Sequence, residues 1–215
     1  MLTEPLVGEM LIYGYLGFLS LIWLMMVIAV SKWGHKWMVV EPQHTPETVA
    51  AVSICIPARN EALNIGPCVQ AALASDWPEL EVVVVDDRSD DGTGEVARKV
   101  AKGDSRLRVV EGVEPPAGWA GKPWACFRAA KESKGAWLLF VDADVQLHPK
   151  AVQAIVETAK ENNLAMLSLF GTWIVEGFWE KVLVPAVGWL IRGAVDLDKV
   201  NDISQIDAFA NGQCI

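Results

Sequence analysis

The chain has 215 residues, of which 52% are hydrophobic and 21% charged, a composition that excludes a disordered protein and suits one folded domain with an appendage. Its formal net charge of −9 has the wrong sign for a protein that binds the phosphate backbone of nucleic acid. The four cysteines are far apart and form no C-x-x-C pair, which argues against a zinc site or a disulfide framework.

An uncharged apolar run over residues 10–31 predicts a transmembrane helix, because about 20 apolar residues cross the hydrocarbon core of a bilayer. Two glutamates precede the run, whereas a cleavable signal peptide would begin with basic residues, so we expect residues 1–40 to be retained as an anchor. A buried core helix is the alternative interpretation. Lys32 and Lys36 follow the run and predict a single-pass anchor in the cell (inner) membrane, with the rest of the chain on the cytoplasmic side.

Residues 41–50 include two prolines and predict a linker to a domain over residues 51–215. In that domain, four apolar runs rich in β-branched residues alternate with helical patterns. The predicted strands are 51–57, 81–87, 107–112 and 136–144, and the predicted helices are 62–74, 95–102, 124–132 and 150–160. The alternation predicts an α/β fold in which a mostly parallel sheet is flanked by helices.

The segment 178–191 is apolar and carries three large aromatic residues, but its 14 residues are too few to span a bilayer. Two interpretations fit this pattern equally. The segment is either an interfacial helix that lies against the bilayer beside the active site, or a helix packed in the core.

Polar clusters follow three of the predicted strands, as ARNE at 58–61, DDRSDD at 86–91 and DAD at 142–144. Because ligands of parallel sheets bind at the carboxyl ends of the strands, we expect these clusters to converge on one site. Asp90 and Asp91 are the exception, since carboxylates at that position are typical of the cap of the next helix.

Asp142 and Asp144 lie two residues apart at the end of a strand, where side chains of alternate residues point to the same side. Paired carboxylates are typical ligands of Mg²⁺ or Mn²⁺, which also take phosphate oxygens. The pattern therefore predicts a site that holds a nucleotide diphosphate through a divalent cation.

The second strand ends in Asp86 and Asp87, whose carboxylates could accept hydrogen bonds from a base or a ribose. Arg59, Asn60 and Lys122 are candidates for contacts to phosphate or base, because a diphosphate needs positive or donating partners on an acidic protein.

Four motifs in this order, SICIPARNEALNIG, VVVVDDRSDDGT, PAGWAGKPWA and LLFVDADV, give the chain a specific likeness to one enzyme family. Over residues 50–215 the chain resembles inverting glycosyltransferase family 2, which has the GT-A fold. The GWAGKPWA block and the N-terminal anchor resemble the branch that glycosylates membrane lipids, including the hopanoid-associated, carotenoid and ceramide-type enzymes.

The resemblance implies a nucleotide-sugar site at particular positions of this chain. In this interpretation Asp87 contacts the base, Lys122 contacts the donor, and Asp142 and Asp144 bind Mg²⁺ or Mn²⁺. The residues expected at the whole site are Pro57, Ala58, Arg59, Glu61, Asp86, Asp87, Lys122, Asp142, Ala143 and Asp144.

The implied reaction moves a sugar from a UDP- or GDP-sugar to a membrane lipid or isoprenoid acceptor by displacement at the anomeric carbon. In the family the general base belongs to an acidic pair downstream of the strand matched by AFANGQCI, so we expect it beyond Ile215, in a C-terminal part that this sequence lacks. One alternative is a non-catalytic nucleotide-binding or scaffolding protein. A Mg²⁺-dependent phosphotransferase is disfavoured because Gln146 replaces the expected Thr or Val and the motif does not follow the first strand.

Overall fold

A computed structural model describes residues 4–33, 40, 49–172, 174–194, 210 and 212–215. Two compact units, residues 1–40 and 41–215, make up the chain. Most of the predicted linker, at 41–48, lies outside the described residues.

The first unit contains helix α1, Glu4–Trp33, which extends beyond both ends of the predicted 10–31. At 1.5 Å per residue its 30 residues span about 45 Å. The stretch Gly8–Met25 is apolar enough to cross a membrane by length and composition, and none of it is buried. This exposure does not fit the alternative of a buried core helix. Lys36, on which the predicted orientation partly depends, lies outside the described residues.

A four-stranded parallel sheet forms the centre of the second unit. Its strands are β1 (Val52–Ala58), β2 (Leu80–Asp86), β3 (Leu107–Glu111) and β4 (Trp137–Phe140), in the spatial order β3-β2-β1-β4. Along the sheet, Val52 of β1 lies opposite Leu80 in β2 and Trp137 in β4. The predicted α/β architecture with a mostly parallel sheet is confirmed.

Helices cover both faces of this sheet. They are α2 (Ile65–Leu73), α3 (Thr93–Ala101), α4 (Gly121–Glu132) and α5 (Ala151–Glu161), and a further helix, α6 (Phe178–Ala194), follows in the chain. Side chains of α2, α3 and α5 pack with Ile54 and Val84 in the larger core cluster. Helix α4 packs on the opposite face, where Ala125 and Ala129 contact the neighbours of those strand residues. Strands β1 and β2 are therefore buried on both faces, which explains their lack of polar alternation, whereas β3 and β4 are only partly buried.

Helix α4 begins at Gly121, three residues before the predicted start at 124. Ala120 is extended and precedes the first turn, and Pro123 lies within that turn. Proline is tolerated there because the first amides of a helix have no intrahelical acceptor. The earlier start places Lys122 in the first turn of α4, close to the carboxyl ends of the strands.

Helix α6 corresponds to the predicted segment 178–191. Its first residues, Phe178 and Trp179, are 71% and 70% exposed. Such exposure does not fit the interpretation of a packed core helix at this end. The interfacial helix stays a prediction.

Candidate active site

A cavity of about 270 Å³ opens at the carboxyl ends of β1 and β4. Strand order reverses between these two strands, and a crevice at such a switch point is the usual ligand site of an open parallel sheet. The lining residues are Pro57, Ala58, Arg59, Glu61, Asp87, Gly121, Lys122, Ala125, Asp142, Ala143 and Asp144. The cavity thus gathers every residue of the sequence-predicted site except Asp86.

The turn after β4 presents two carboxylates to the cavity. Pairing with β1 continues to Val141, whose amide donates to the carbonyl oxygen of Cys55 at 3.0 Å. The amide of Val145 then donates to the carbonyl oxygen of Asp142 at 3.0 Å and closes a turn, so the chain leaves the sheet earlier than the predicted 144. Ala143 is buried in the core, whereas Asp142 is half-buried and Asp144 exposed. Both acids line the cavity.

Lys122 approaches these carboxylates from the first turn of α4. Its Nζ lies 2.7 Å from Oδ1 of Asp142, and the two side chains are 60% and 25% exposed. The neighbouring Gly121 is packed against Asp87, because a Cβ at this glycine would lie 3.1 Å from Oδ2 of that carboxylate. A glycine at the start of α4 therefore lets the helix N-terminus, with its partial positive charge, approach the acidic cavity.

Asp87 is buried at 4% exposure and is held by two arginines. The Nε of Arg88 donates to Oδ1 at 3.1 Å, and a guanidinium nitrogen of Arg59 lies 3.9 Å from Oδ2. Hydrogen bonding to Asp87 raises the pKa of the Arg88 guanidinium, which also forms an ion pair with Glu114. The sequence analysis missed Arg88, although a single arginine inside an acidic cluster is a signal of such pairing.

Asp86 faces away from the cavity. Its Oδ2 accepts the amide of Gly94 at 3.0 Å and its Oδ1 accepts the amide of Ser89 at 3.1 Å. The carboxylate therefore stabilises the first turn of α3, where unpaired amides need acceptors. This position does not support the predicted contact between Asp86 and the nucleotide-sugar.

The rim of the site is stabilised by hydrogen bonds between the loops that follow β1 and β2. Asp91 accepts the amides of Thr93 and Ala62 at 3.0 and 2.9 Å, and the hydrogen bond from the Thr93 hydroxyl lowers the pKa of its carboxyl. Its position agrees with the expected capping of α3. Asn60 does not line the cavity, and its side-chain oxygen accepts the amide of Asp90 at 3.1 Å.

The donor groups of the cavity suit a hard divalent cation that is shared with a phosphate ligand. Asp142 and Asp144 would be the residues to hold Mg²⁺ or Mn²⁺, which also accepts phosphate oxygens as ligands. In the part of the chain that the structure describes, no three His, Cys, Asp or Glu side chains form a metal cluster.

The model of the family described as glycosyl transferase family 2 matches residues 53–205, more than half of the chain. The chain belongs to this family. Membership confirms the resemblance stated above and, together with the observed parallel sheet, the expected GT-A type of fold.

Named relatives are similar to somewhat more than half of this chain. The 4,4'-diaponeurosporenoate glycosyltransferase of Staphylococcus haemolyticus is 32% identical over 57% of this chain and 32% of its own length. The glycosyltransferase AglE of Haloferax volcanii is 34% identical over 52% of this chain and 36% of its own length. The chain thus spans about a third of the length of these curated relatives.

Solved structures with a similar fold include two transferases. The mannosyltransferase PcManGT of Pyrobaculum calidifontis, in complex with GDP-Man and Mn²⁺, is 30% identical, with a TM-score of 0.48 over 63% of this chain and 39% of its own. TarS of S. aureus, in complex with UDP-GlcNAc, is 27% identical, with a TM-score of 0.45 over 59% of this chain and 37% of its own.

Proposed function

We propose that this family 2 chain binds a nucleotide-diphosphate sugar and transfers the sugar to a membrane lipid or isoprenoid acceptor. The observation that carries the proposal is the cavity at the switch point, which brings Asp142, Asp144 and Lys122 together with Arg59 and Asp87. These residues come from the loops after β1, β2 and β4 and from the first turn of α4, and each was predicted at the nucleotide-sugar site from its motif. A chance surface cleft would not collect them.

The proposed roles follow from position. Arg59 and Arg88 hold the Asp87 carboxylate in place, so that it can accept hydrogen bonds from N–H or O–H groups of the nucleotide. Lys122 exchanges its bond to Asp142 for one to a phosphate oxygen of the donor, because both partners are anionic and the side chain is mostly exposed. The ammonium group then stabilises the negative charge that builds up on the departing diphosphate.

Asp142 and Asp144 would hold the divalent cation, Mg²⁺ or Mn²⁺. When bound, such a cation neutralises charge on the diphosphate as a Lewis acid. Asp142 keeps its place through the backbone, since its amide donates to the carbonyl oxygen of Gln213 at 3.1 Å. We propose that the general base that deprotonates the acceptor hydroxyl lies downstream of Ile215.

A lipid or isoprenoid acceptor is supported by two features. Helix α1 is long and apolar enough to span a bilayer, which would hold the enzyme at the membrane where such acceptors occur. A 32% identical relative is named for an apolar carotenoid acid, diaponeurosporenoate. We therefore propose a membrane-anchored enzyme whose catalytic unit lies on the cytoplasmic side.

Calorimetric titration of the detergent-solubilised chain with UDP and with GDP, each with and without Mn²⁺, tests donor binding. We expect one nucleotide to bind only with Mn²⁺, and Asp144→Asn to abolish this binding because it removes an anionic ligand of the cation. Asp76→Asn is the matched control, since Asp76 is an exposed acid in the loop before β2, at the opposite end of the strands.

Absence of nucleotide binding by folded protein would contradict the proposal, as would equal affinity of Asp144→Asn and the wild type. Turnover is tested separately by supplying the donor sugar. Release of sugar from the donor, to lipid or to water, would argue against the non-catalytic alternative.

A further inference from the structure

A second cavity, of about 340 Å³, lies on the other side of the Lys122–Asp142 ion pair from the donor cavity. The two cavities share Pro57, Lys122 and Asp142. Its remaining lining residues are apolar or glycine: Pro123, Cys126, Phe140, Val141, Gly212 and Ile215. We refer to it as the apolar cavity.

The position of the apolar cavity follows from the fold. On this face of the sheet α4 covers β1 and β2 through Ala125 and Ala129, whereas Phe140 of β4 is partly exposed. The opposite wall is the segment 212–215, which pairs antiparallel with the edge of β4, with Ile215 and Phe140 exchanging both backbone hydrogen bonds. The residues that the structure describes leave the space between α4 and this segment open.

The lining chemistry favours the tail of an amphiphile. Among the described lining residues, only Lys122 and Asp142 carry charged groups. An apolar chain would fill the rest by the hydrophobic effect, and about 340 Å³ lies at the lower end of small-molecule cavities. A ligand with one polar end and an apolar body therefore matches the cavity in both parts.

We propose that the apolar cavity binds the first isoprenoid or acyl units of the acceptor, with the acceptor hydroxyl directed at the Lys122–Asp142 pair. This inference rests on the proposed function, since it assigns the acceptor side of the same site. The ion pair then separates a polar donor compartment from an apolar acceptor compartment, and the two substrates meet at Asp142.

Photocrosslinking of the full chain in phosphatidylcholine nanodiscs tests the inference. The probe is a C15 isoprenoid alcohol with a diazirine near its hydroxyl end, added with UDP or GDP, whichever binds, and Mn²⁺. We expect adducts at Cys126, Phe140 or their immediate neighbours by mass spectrometry. Cys126→Trp, which fills the cavity, should lower these adducts at least tenfold, whereas Cys126→Ala should retain them.

The matched control is Val49→Trp, at an exposed residue before β1, at the end of the strands away from both cavities. It should retain the adducts. Pro123→Trp, at an exposed residue on the α4 wall, is a second variant that fills the cavity. It replaces Cys126→Trp if that variant does not fold, which loss of nucleotide binding would reveal. Adducts confined to residues 4–33, or undiminished in a filling variant that still binds nucleotide, would overturn the inference while the proposed donor site stands. Loss of nucleotide binding by the wild type would instead refute the proposed function.

Discussion

Replacing Lys122 with Met separates a structural role of its ion pair from a role in donor binding. The pair with Asp142 is partly solvated, with side chains 60% and 25% exposed, and exposed pairs contribute about 0.2–1 kcal/mol to stability. In a domain of this size such a loss lowers Tm by less than about 4 °C. A charge-assisted hydrogen bond to phosphate is worth about 1.5–3 kcal/mol, so we expect the Kd for UDP or GDP with Mn²⁺ to rise about 10- to 150-fold.

The assay is calorimetric titration with nucleotide and Mn²⁺, with thermal unfolding of the same samples. Lys131→Met is the matched control, because Lys131 lies on the same helix, 5.8 Å from the ring centroid of Phe127, and does not line the donor cavity. Removal of Lys122 should also strengthen binding of Mn²⁺ alone, since Asp142 loses its competing cation. An unchanged nucleotide Kd for Lys122→Met, or an equal loss in Lys131→Met, would refute the reasoning.

Three further predictions concern the framework of the site. A Cβ at Gly112 would lie 2.6 Å from the carbonyl oxygen of Asp86, so Gly112→Ala should lower the free energy of unfolding in urea by about 1–3 kcal/mol. Gly171→Ala is the control and should be neutral, because nothing lies within 4 Å of a Cβ there. A neutral Gly112→Ala would contradict the prediction. Burial raises the pKa of the Glu81 carboxyl, but hydrogen bonds and nearby cations outweigh this effect and lower it. The stabilisation by Glu81 should therefore be present at neutral pH and be lost as pH falls below about 4.3. Glu81→Gln should flatten this part of the profile of stability against pH. Burial raises the pKa of the Cys55 thiol to about 11, so iodoacetamide should leave Cys55 unmodified in the native chain at pH 8, and rapid labelling seen by mass spectrometry would be inconsistent with the core described.

Much of the sheet could be predicted because its strands are continuous apolar runs. Residues such as Val82 to Val85 are buried on both faces, and only a sheet covered by helices on both sides accommodates such a run. The start of α4 was predicted too late, since Gly121 and Pro123 are poor helix formers inside a helix. Their place in the first turn is decided by packing against the strands, which periodicity does not record.

The adjacent acids Asp86 and Asp87 show where prediction of the site from sequence stops. Both follow the same apolar run, and successive residues of a strand point to opposite faces, so one can line the cavity while the other contacts the helix. The choice depends on which face α3 covers, a property of the folded chain. In the same way Ala125 joins the cavity only because α4 crosses the end of β1.

The charge of the donor cavity gives a reason for its dependence on a cation. Glu61, Asp87, Asp142 and Asp144 supply four carboxylates to the lining, against the two cations Arg59 and Lys122. A nucleoside diphosphate adds further negative charge, and at separations of about 4 Å each unpaired contact costs about 4 kcal/mol at an effective dielectric of 20. Lys122 cannot neutralise Asp142 and the diphosphate at once, so its transfer to the phosphate leaves the aspartate to a divalent cation. We therefore expect the lysine and the cation to act as a coupled pair, with each improving donor affinity only when the other is present.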